Sequence, residues 1–307
     1  MTMSAAAQLD RRRRETSLRL KFGDIAVSVR SDDDQIVHDF AELYRESLCE
    51  EAAESHLIRM EVLRSKRFWP RGRRYDVYGD GAAVCRNRRL QEVLPYLEWG
   101  INWRVIVTRS DYLQLHAASL ARDGQGVVLA GTSGVGKSTL AAGLLARGWG
   151  LFSDEFALIE PQTLRLHAFP KAVCIKSGSF DIVKGLNLRI ARDRPYVKVL
   201  KGAVGYINPA DVPGRGATVP CPIKLILFPR YSGYDTPQLL PLPRARAAFI
   251  LAGQAMNRKE FGHRTVPVLN QVVRGARCYG LDTGRVDLTC EMIEALMDEQ
   301  EAAASSS

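Results

Sequence analysis

The sequence has no stretch that could cross a membrane and no cysteine pattern typical of zinc or redox sites. None of its apolar runs approaches the roughly 20 residues that a bilayer-spanning helix needs, and no apolar segment follows the basic cluster near its start. We therefore expect a cytoplasmic protein that does not bind membranes. The six cysteines include no C-x-x-C pair, and there is no spaced histidine cluster among His38, His56, His167 and His263. Both absences argue against zinc and favour reduced thiols.

Acidic residues are missing from the most basic stretches of the chain, whose net charge is +9. One cluster is Arg11–Arg14, and the other comprises Arg64, Lys66, Arg67, Arg71, Arg73 and Arg74. An acidic partner is one interpretation, and a solvated face or a disordered arm is the commoner one. The aromatic residues Phe68, Trp69 and Tyr75 interleave with the second cluster, a pattern that suits stacking on nucleic acid but equally an edge strand. We do not expect nucleic acid binding.

Apolar periodicity predicts an α+β domain at residues 17–110, after a disordered basic arm at residues 1–16. Alternating apolar residues on both sides of Gly23-Asp24 indicate a β-hairpin, and Asp32–Asp34 offer caps for a following helix. Further strands are expected at 57–63 and 75–84, and a helix at 90–107. This domain carries no catalytic signature that we can identify.

Residues 111–297 are expected to form a second, larger domain, followed by a disordered tail at 298–307. It should open with a hairpin from Tyr112 to Ala130. Later strands are expected at 151–159, 163–166, 173–176, 223–228 and 278–281, and helices at 245–256 and 287–297. We expect loops around a short strand at 203–207 between residues 184 and 215.

One run carries most of the chemistry, because it matches G-x-x-x-x-G-K-[ST] at every fixed position. Its residues, with the threonine that follows, are Gly131, Thr132, Ser133, Gly134, Val135, Gly136, Lys137, Ser138 and Thr139. Glycines let backbone N–H groups wrap a polyphosphate closely, the lysine reaches the β/γ-phosphates and the Ser138 hydroxyl can ligate Mg²⁺. An apolar strand precedes the run and a helical pattern follows it, so the phosphates would lie at a helix N-terminus. The run predicts binding of ATP or another nucleoside triphosphate with Mg²⁺.

Two acidic residues, Asp154 and Glu155, interrupt the apolar segment that follows this helix. Charges inside an apolar strand need a reason, and phosphoryl transfer needs a metal site and a carboxylate near the acceptor oxygen. The connecting helix is short, so we expect the acidic strand to lie directly beside the strand that leads into the loop. A helix cap or a surface pair is the structural alternative.

The hairpin with His116, the glycine-rich run and the acid pair together resemble the kinase domain of HPr kinase/phosphorylase, and more closely its HPr-kinase-related relatives of unassigned substrate. The segment Phe169–Ser177 is similar to a Pro-basic-x-x-x-x-Lys segment of those relatives. The resemblance covers about residues 111–177 and weakens towards Pro241–Arg244. It implies an α/β fold with a P-loop kinase core of the HPr kinase/PEP carboxykinase type, a mixed sheet with flanking helices. Because many of these relatives assemble into rings, the resemblance also implies a homo-oligomer.

Residue by residue, the resemblance implies that Lys137 and Ser138 hold phosphates and Mg²⁺ and that Asp154 accepts the proton of the substrate hydroxyl. Glu155 stands where the family has a second aspartate, so Ser138, Asp154 and Glu155 are the expected metal ligands. His116 matches a histidine near the transferring phosphate, although a hydrogen-bonded strand histidine is an equal alternative. Lys171, Lys176 and Arg244 are basic residues of a kind that is more often solvated. Of these, Lys176 and Arg244 are weaker candidates for stabilising charge on the phosphates.

Three functions follow from these residues. The first is an ATP- and Mg²⁺-dependent kinase whose acceptor is a hydroxyl, with serine of a protein or peptide favoured. The second keeps the phosphate loop but takes a small metabolite as the acceptor. The third is a nucleotide-switched module that binds an acidic partner through the 64–74 cluster. A motor ATPase is not expected, because Ile223–Phe228 ends in Pro229-Arg230 and not in an acid.

Overall fold

A computed structural model describes residues 9–10, 15–50, 57–65, 72–191, 195–199, 201–213, 216 and 218–305. Contacts within the chain group the residues into two units. The first comprises 1–109, 176–178 and 190–208, and the second comprises 110–175, 179–189 and 209–307. The grouping therefore differs from a single boundary at residue 110, because two later segments belong with the N-terminal residues. The protein is a mixed α/β fold, as the sequence predicts.

Six strands in the order of the chain form the sheet of the first unit. They are β1 (Leu9–Asp10), β2 (Glu15–Phe22), β3 (Ile25–Ser31), β4 (Ile58–Arg64), β5 (Tyr75–Gly79) and β6 (Ala82–Arg88). Neighbours are antiparallel except β3 and β4, which are parallel and joined across helix α1 (Asp34–Leu43). Buried residues alternate with half-buried or exposed ones along β4, β5 and the second half of β3, which shows that one face of each strand is packed.

Two helices cover this sheet. Asp33 caps α1 by accepting a hydrogen bond from the backbone N–H of Gln35, as its acidic start predicts. Helix α2 (Leu90–Thr108) packs on the sheet and on α1, and buries Leu97 and Ile101 completely. The hairpin of β13 (Tyr196–Lys198) and β14 (Gly202–Ile207) also belongs to this unit, with β13 against α2. Lys66, Arg67 and Arg71 of the predicted basic cluster, and the aromatic residues Phe68 and Trp69 that interleave with it, lie outside the described residues.

The second unit is built on an eight-stranded sheet with the order β11-β10-β7-β8-β15-β17-β16, in which β9 also pairs with β7. Its strands are β7 (Leu113–Arg122), β8 (Gln125–Ala130), β9 (Gly150–Ser153), β10 (Phe156–Ile159), β11 (Arg165–His167), β15 (Cys221–Tyr231), β16 (Gln238–Pro241) and β17 (Arg277–Thr283). β8, β15 and β17 are parallel. A further strand, β12 (Val173–Lys176), ends at a residue grouped with the first unit.

Helices flank this sheet: α3 (Lys137–Ala146), α4 (Phe180–Gly185), α5 (Arg244–Gln254), α6 (Arg258–Phe261), α7 (Thr265–Gly275) and α8 (Val286–Ser305). α5 and α7 pack on each other and share a buried apolar core with β7, β8, β15 and β17. α3 packs against β7, β9 and α8. None of the helices in the described part of the chain is both long and apolar enough to span a bilayer.

Several expectations need revision. The acidic strand does not lie beside β8: both β9 and β10 pair with β7, which separates them from β8. The connection after α3 therefore skips one position in the sheet, because the β7–β8 hairpin already occupies the neighbouring place. β13 lies in the 184–215 region, where loops around a single short strand were expected. α8 continues to Ser305 where a disordered tail was predicted from 298, and β1 lies inside the predicted disordered arm.

The close approach of α3 and α8 generates a stability prediction. A Cβ atom at Gly143 would lie 2.6 Å from Val286 Cγ1 and 2.8 Å from Cys290 Sγ. Ala normally stabilises a helix interior by about 1 kcal/mol relative to Gly. Here we expect Gly143→Ala to destabilise the fold by about 1–3 kcal/mol in urea unfolding, because the two helices must separate. Gly253→Ala in α5, where a Cβ meets nothing within 4 Å, should have the opposite sign. Equal effects of the two changes would contradict this packing.

A carboxylate on α8 makes the stability of the fold sensitive to acid. Glu294 accepts hydrogen bonds from Arg147 Nε at 2.8 Å and from Trp149 Nε1 at 3.2 Å. Burial acts to raise the pKa of Glu294, but the hydrogen bonds and the charges of Arg147 and Arg122 outweigh it and lower that pKa below 4.5. A lowered carboxyl pKa adds stability above the unfolded-state pKa, and that stability is lost as pH falls through the folded-state pKa.

We therefore expect Glu294→Gln to lower the free energy of unfolding by about 2 kcal/mol at pH 7. The difference from the parent protein should shrink towards zero as the pH falls below 4, measured by urea titrations at several pH values. Glu291→Gln is the matched control, because that side chain is 56% exposed and lies 3.9 Å from Arg147. A difference for Glu294→Gln that stays constant down to pH 3 would show that its charge does not matter.

Candidate functional site

The glycine-rich segment forms the turn between β8 and α3. β8 ends at Ala130 and α3 begins at Lys137, so the loop occupies the carboxyl edge of the sheet. Gly134 and Gly136 have φ values of 98° and 95°, which other residues rarely adopt. Gly136 is also the residue that caps α3. The two glycines thus turn the chain so that the N-terminus of the helix follows directly on the loop.

Lys137 folds back over this loop. Its side-chain nitrogen donates hydrogen bonds to the carbonyl oxygens of Gly131 at 2.7 Å and Thr132 at 3.0 Å, and the residue is only 7% exposed. Thr132, Ser133, Gly134 and Gly136 are exposed. The first N–H groups of a helix have no partner within the helix, and its N-terminus favours anions. The loop therefore presents a buried cation and backbone donors at one exposed turn, which is an arrangement suited to a polyphosphate.

The acid pair breaks the strand that the sequence predicts at 151–159. Asp154 and Glu155 lie between β9 and β10, in a tight turn held by Ser153. The Ser153 hydroxyl oxygen accepts hydrogen bonds from the backbone N–H groups of Glu155 at 3.2 Å and Phe156 at 3.1 Å. Ser119 Oγ on β7 donates to the carbonyl oxygen of Phe156 at 2.7 Å. Side-chain hydroxyls thus replace backbone hydrogen bonds that a continuous strand would make. Asp154 and Glu155 are therefore not paired with a neighbouring strand.

Asp154 is held in one orientation by the backbone of a distant segment. It is 6% exposed, and its Oδ2 accepts a hydrogen bond from the N–H of Cys174 at 3.1 Å. The segment before Cys174 is fixed beside β9, because the N–H of Phe169 donates to the carbonyl oxygen of Phe152 at 2.7 Å. The arrangement gives a carboxylate whose position is set before any ligand binds.

Glu155 is more open and lies near His116. His116 Nε2 and Glu155 Oε2 are 3.9 Å apart, with side chains 30% and 31% exposed. His116 pairs with Phe156 across β7 and β10. The next residue of β7, Ala117, pairs with Ala130 on the other side, where β8 ends. His116 therefore lies at the level of the sheet where the glycine-rich loop begins.

The same registers place the acid pair relative to the loop. β7 separates β8 from β9 and β10, so the backbone of the acid pair lies two strand spacings, about 10 Å, from the line of β8. Side chains from both sides can meet over β7, where His116 lies between them. The structure thus brings Lys137, His116, Asp154 and Glu155 to one edge of one sheet, although the acids are one strand further from the loop than expected.

The remaining candidates are placed differently. Lys176 is exposed and grouped with the first unit, and Arg244 is exposed at the first position of α5. Lys171 is 4% exposed and not solvated, with its side-chain nitrogen 5.4 Å from the centre of the Phe169 ring. Ser153 and the N–H of Cys174 were missed by sequence reasoning. A serine two residues before a turn amide is a recognisable local motif, whereas the contact between Asp154 and Cys174 spans 20 residues and leaves no local signal.

In the described residues, no three His, Cys, Asp or Glu side chains gather into a metal-binding group. Mg²⁺ is commonly held by one or two carboxylates together with phosphate oxygens and water, and it prefers oxygen ligands. Ser138, Asp154 and Glu155 offer this donor chemistry, so the residues present fit a magnesium ion bound together with a polyphosphate.

Comparison with known proteins gives a family model that matches the part of the chain that contains this site, and one partial relative. Residues 100–185 match the sequence model of the family described as SynChlorMet cassette protein ScmC. A protein of Chlorobaculum tepidum named HPr kinase/phosphorylase is 34% identical over 97 residues. That match covers 29% of this chain and 28% of the relative, so the chain spans less than a third of the length of the relative that it matches. These similarities are partial and hint at a kinase.

The hydroxyl of Ser153 generates a prediction about the acid turn. Ser153→Ala leaves the N–H groups of Glu155 and Phe156 without their acceptor, in a place where Ser153 is 2% exposed. We expect a loss of about 1–3 kcal/mol in the free energy of unfolding and faster hydrogen exchange at those two amides. Ser177→Ala, at an exposed serine, is the control and should change neither quantity. Unchanged exchange at residues 155 and 156 would contradict the role of this hydroxyl.

Proposed function

We propose that the protein is an ATP- and Mg²⁺-dependent kinase that transfers the γ-phosphoryl group to a hydroxyl group, with serine of a protein or peptide as the acceptor. We propose further that the second unit is a P-loop kinase core of the HPr kinase/PEP carboxykinase type. The observation that carries both proposals is the placement of the Gly131–Ser138 loop and the Asp154-Glu155 turn at one edge of one sheet. The partial similarity to a protein named HPr kinase/phosphorylase supports the same reaction class.

The donor nucleotide would bind at the loop. Backbone N–H groups of the loop and of the first turn of α3 would surround the phosphates, as in other loops of this pattern. Lys137 donates to two carbonyl oxygens of the loop, which hold its ammonium group beside the place where the β/γ-phosphates would bind. The ammonium is therefore already in place to offset charge on the transferring group, which is the main electrostatic requirement of phosphoryl transfer.

Asp154 would act on the acceptor. Its Oδ2 is fixed by the Cys174 amide, so the orientation of the carboxylate would be set before the acceptor binds. As the acceptor oxygen forms its bond to phosphorus, Asp154 takes the hydroxyl proton and the bond between phosphorus and the bridging oxygen of the nucleotide breaks. The products are a phosphate ester and the nucleoside diphosphate, with the proton on Asp154.

Ser138, Asp154 and Glu155 would hold Mg²⁺, which would supply positive charge to offset the charge of the phosphates. Glu155 also lies beside His116, so it can keep the imidazole oriented towards the loop. His116 would then donate a hydrogen bond to the transferring phosphoryl group. These roles use only residues at the sheet edge and need no change in the order of the strands.

Transfer of radiolabelled phosphate from ATP to proteins, peptides and small molecules of a cell lysate tests the proposal. We expect Lys137→Ala to abolish nucleotide binding and transfer together. Asp154→Asn should retain nucleotide binding and slow transfer by about 10²–10⁴-fold, the usual contribution of a general base. Asp123→Asn is the matched control, because that carboxylate is 70% exposed and lies in the turn between β7 and β8.

Two results would contradict the proposal. One is a lack of transfer by the parent protein to any acceptor in the presence of Mg²⁺ and ATP. The other is transfer that Lys137→Ala and Asp154→Asn leave unchanged. If the label appears only on small molecules, the protein is still a kinase, but its acceptor is a metabolite and not a protein or peptide.

A further inference from the structure

A hydrogen bond between two hydroxyl groups joins the start of α3 to the start of α4. Thr139 is the third residue of α3, and Ser179 immediately precedes α4. Their side-chain oxygens are 2.9 Å apart, and both residues are half-buried. Ser179 lies far from the glycine-rich run in sequence and belongs to no motif that the sequence suggests. The fold nevertheless places its hydroxyl at the first turn of the helix that follows the loop.

The chemistry of this pair leaves one proton for a third group. A hydroxyl has one proton to donate and can accept hydrogen bonds on its oxygen. Two hydroxyls that share one hydrogen bond use only one of their two protons, whichever of them is the donor. Among the described residues, neither Thr139 nor Ser179 makes another side-chain hydrogen bond. The pair can therefore donate one further hydrogen bond while the bond between its members stays intact.

The direction of the Thr139 side chain indicates what this proton can reach. Side chains of an α-helix tilt towards its N-terminus, and Thr139 stands within the first turn, two residues after Lys137. The hydroxyl pair thus leans towards the end of α3 that carries the loop. Backbone N–H groups at this end of the helix and the Lys137 ammonium attract negatively charged groups. A group that accepts the remaining hydroxyl proton there is therefore an anion.

We propose that the Thr139–Ser179 pair donates a hydrogen bond to a phosphate oxygen of the bound nucleotide, which makes Ser179 a nucleotide-binding residue outside the glycine-rich loop. This inference rests on the proposed function, because it assumes that the loop binds a nucleoside triphosphate. Ser179 adds a contact to the phosphates from the segment that leads into α4, far from the glycine-rich loop in sequence. The pair acts as a unit, since each hydroxyl orients the other.

Titration of the protein with a fluorescent ATP analogue in the presence of Mg²⁺ tests the pair. Ser179→Ala should raise the dissociation constant about tenfold, as expected for loss of one hydrogen bond to a charged group. Ser179→Thr keeps the hydroxyl and should bind as the parent protein does. Thr139→Val removes the other hydroxyl at nearly constant shape and should weaken binding to the same extent.

A double mutant separates a joint role from two independent ones. If the hydroxyls act as a unit, Thr139→Val combined with Ser179→Ala should weaken binding about tenfold, as each single change does, and not about a hundredfold. Inorganic tripolyphosphate as a competitor should show the same pattern, because the contact is to phosphate and not to the nucleoside. Ser110→Ala, at an exposed serine of the same unit, is the control and should leave affinity unchanged.

The outcomes distinguish this inference from the proposed function. Absence of nucleotide binding by the parent protein, or binding that survives Lys137→Ala, would overturn both. Normal binding by the parent protein, loss in Lys137→Ala and affinity within twofold of the parent in Ser179→Ala would overturn only the role of the pair. Circular dichroism and thermal unfolding show whether each variant is folded. If Ser179→Ala does not fold, unchanged affinity in folded Thr139→Val would equally refute the role of the pair in nucleotide binding.

Discussion

The candidate site depends on a buried ammonium group that its own loop keeps hydrogen-bonded. Removing a lysine side chain from water is costly unless its donors find acceptors. The carbonyl oxygens of Gly131 and Thr132 supply them, and they can do so because the chain turns through left-handed conformations at Gly134 and Gly136. The position of the positive charge is therefore fixed by hydrogen bonds within the loop. Under the proposed function, a phosphate would meet an environment that is already arranged, which is the form of electrostatic stabilisation that needs least reorganisation.

The acid turn meets the same physical requirement in another way. Asp154 is buried, and an ionised carboxylate there needs donors to remain charged. One donor is the amide of Cys174, and the turn itself is kept open by the Ser153 hydroxyl. The strand is broken at the acids because side-chain and distant backbone groups replace the ladder at that point. The break directs both carboxyl groups to the edge where His116 and the loop lie.

Local patterns in the sequence were enough for much of the fold. Alternation about Gly23-Asp24 indicated the β2–β3 hairpin, and the acidic run Asp32–Asp34 indicated a cap for α1, which Asp33 provides. α7 was missed, since Pro267 and the glycines near its ends obscure an otherwise amphipathic segment. The strand order failed at β9, because a short connection favours neighbouring strands but cannot show that β7 already fills the place. The partners of Asp154 and Thr139 are long-range, so no local pattern could reveal them.

Trp149, which follows α3 and is hydrogen-bonded to α8, is an intrinsic fluorescence probe of the contact between these elements. Trp149 is fully buried, its indole N–H is bonded to Glu294, and the Arg122 guanidinium lies 5.3 Å from its ring. Trp99, by contrast, is 50% exposed. An indole shielded from water emits at shorter wavelength than an exposed one, so among the tryptophans that the structure describes Trp149 is expected to contribute the emission at the shortest wavelength. Detachment of α8 would shift that emission to the red, and the docking of this helix can thus be followed by light without any label.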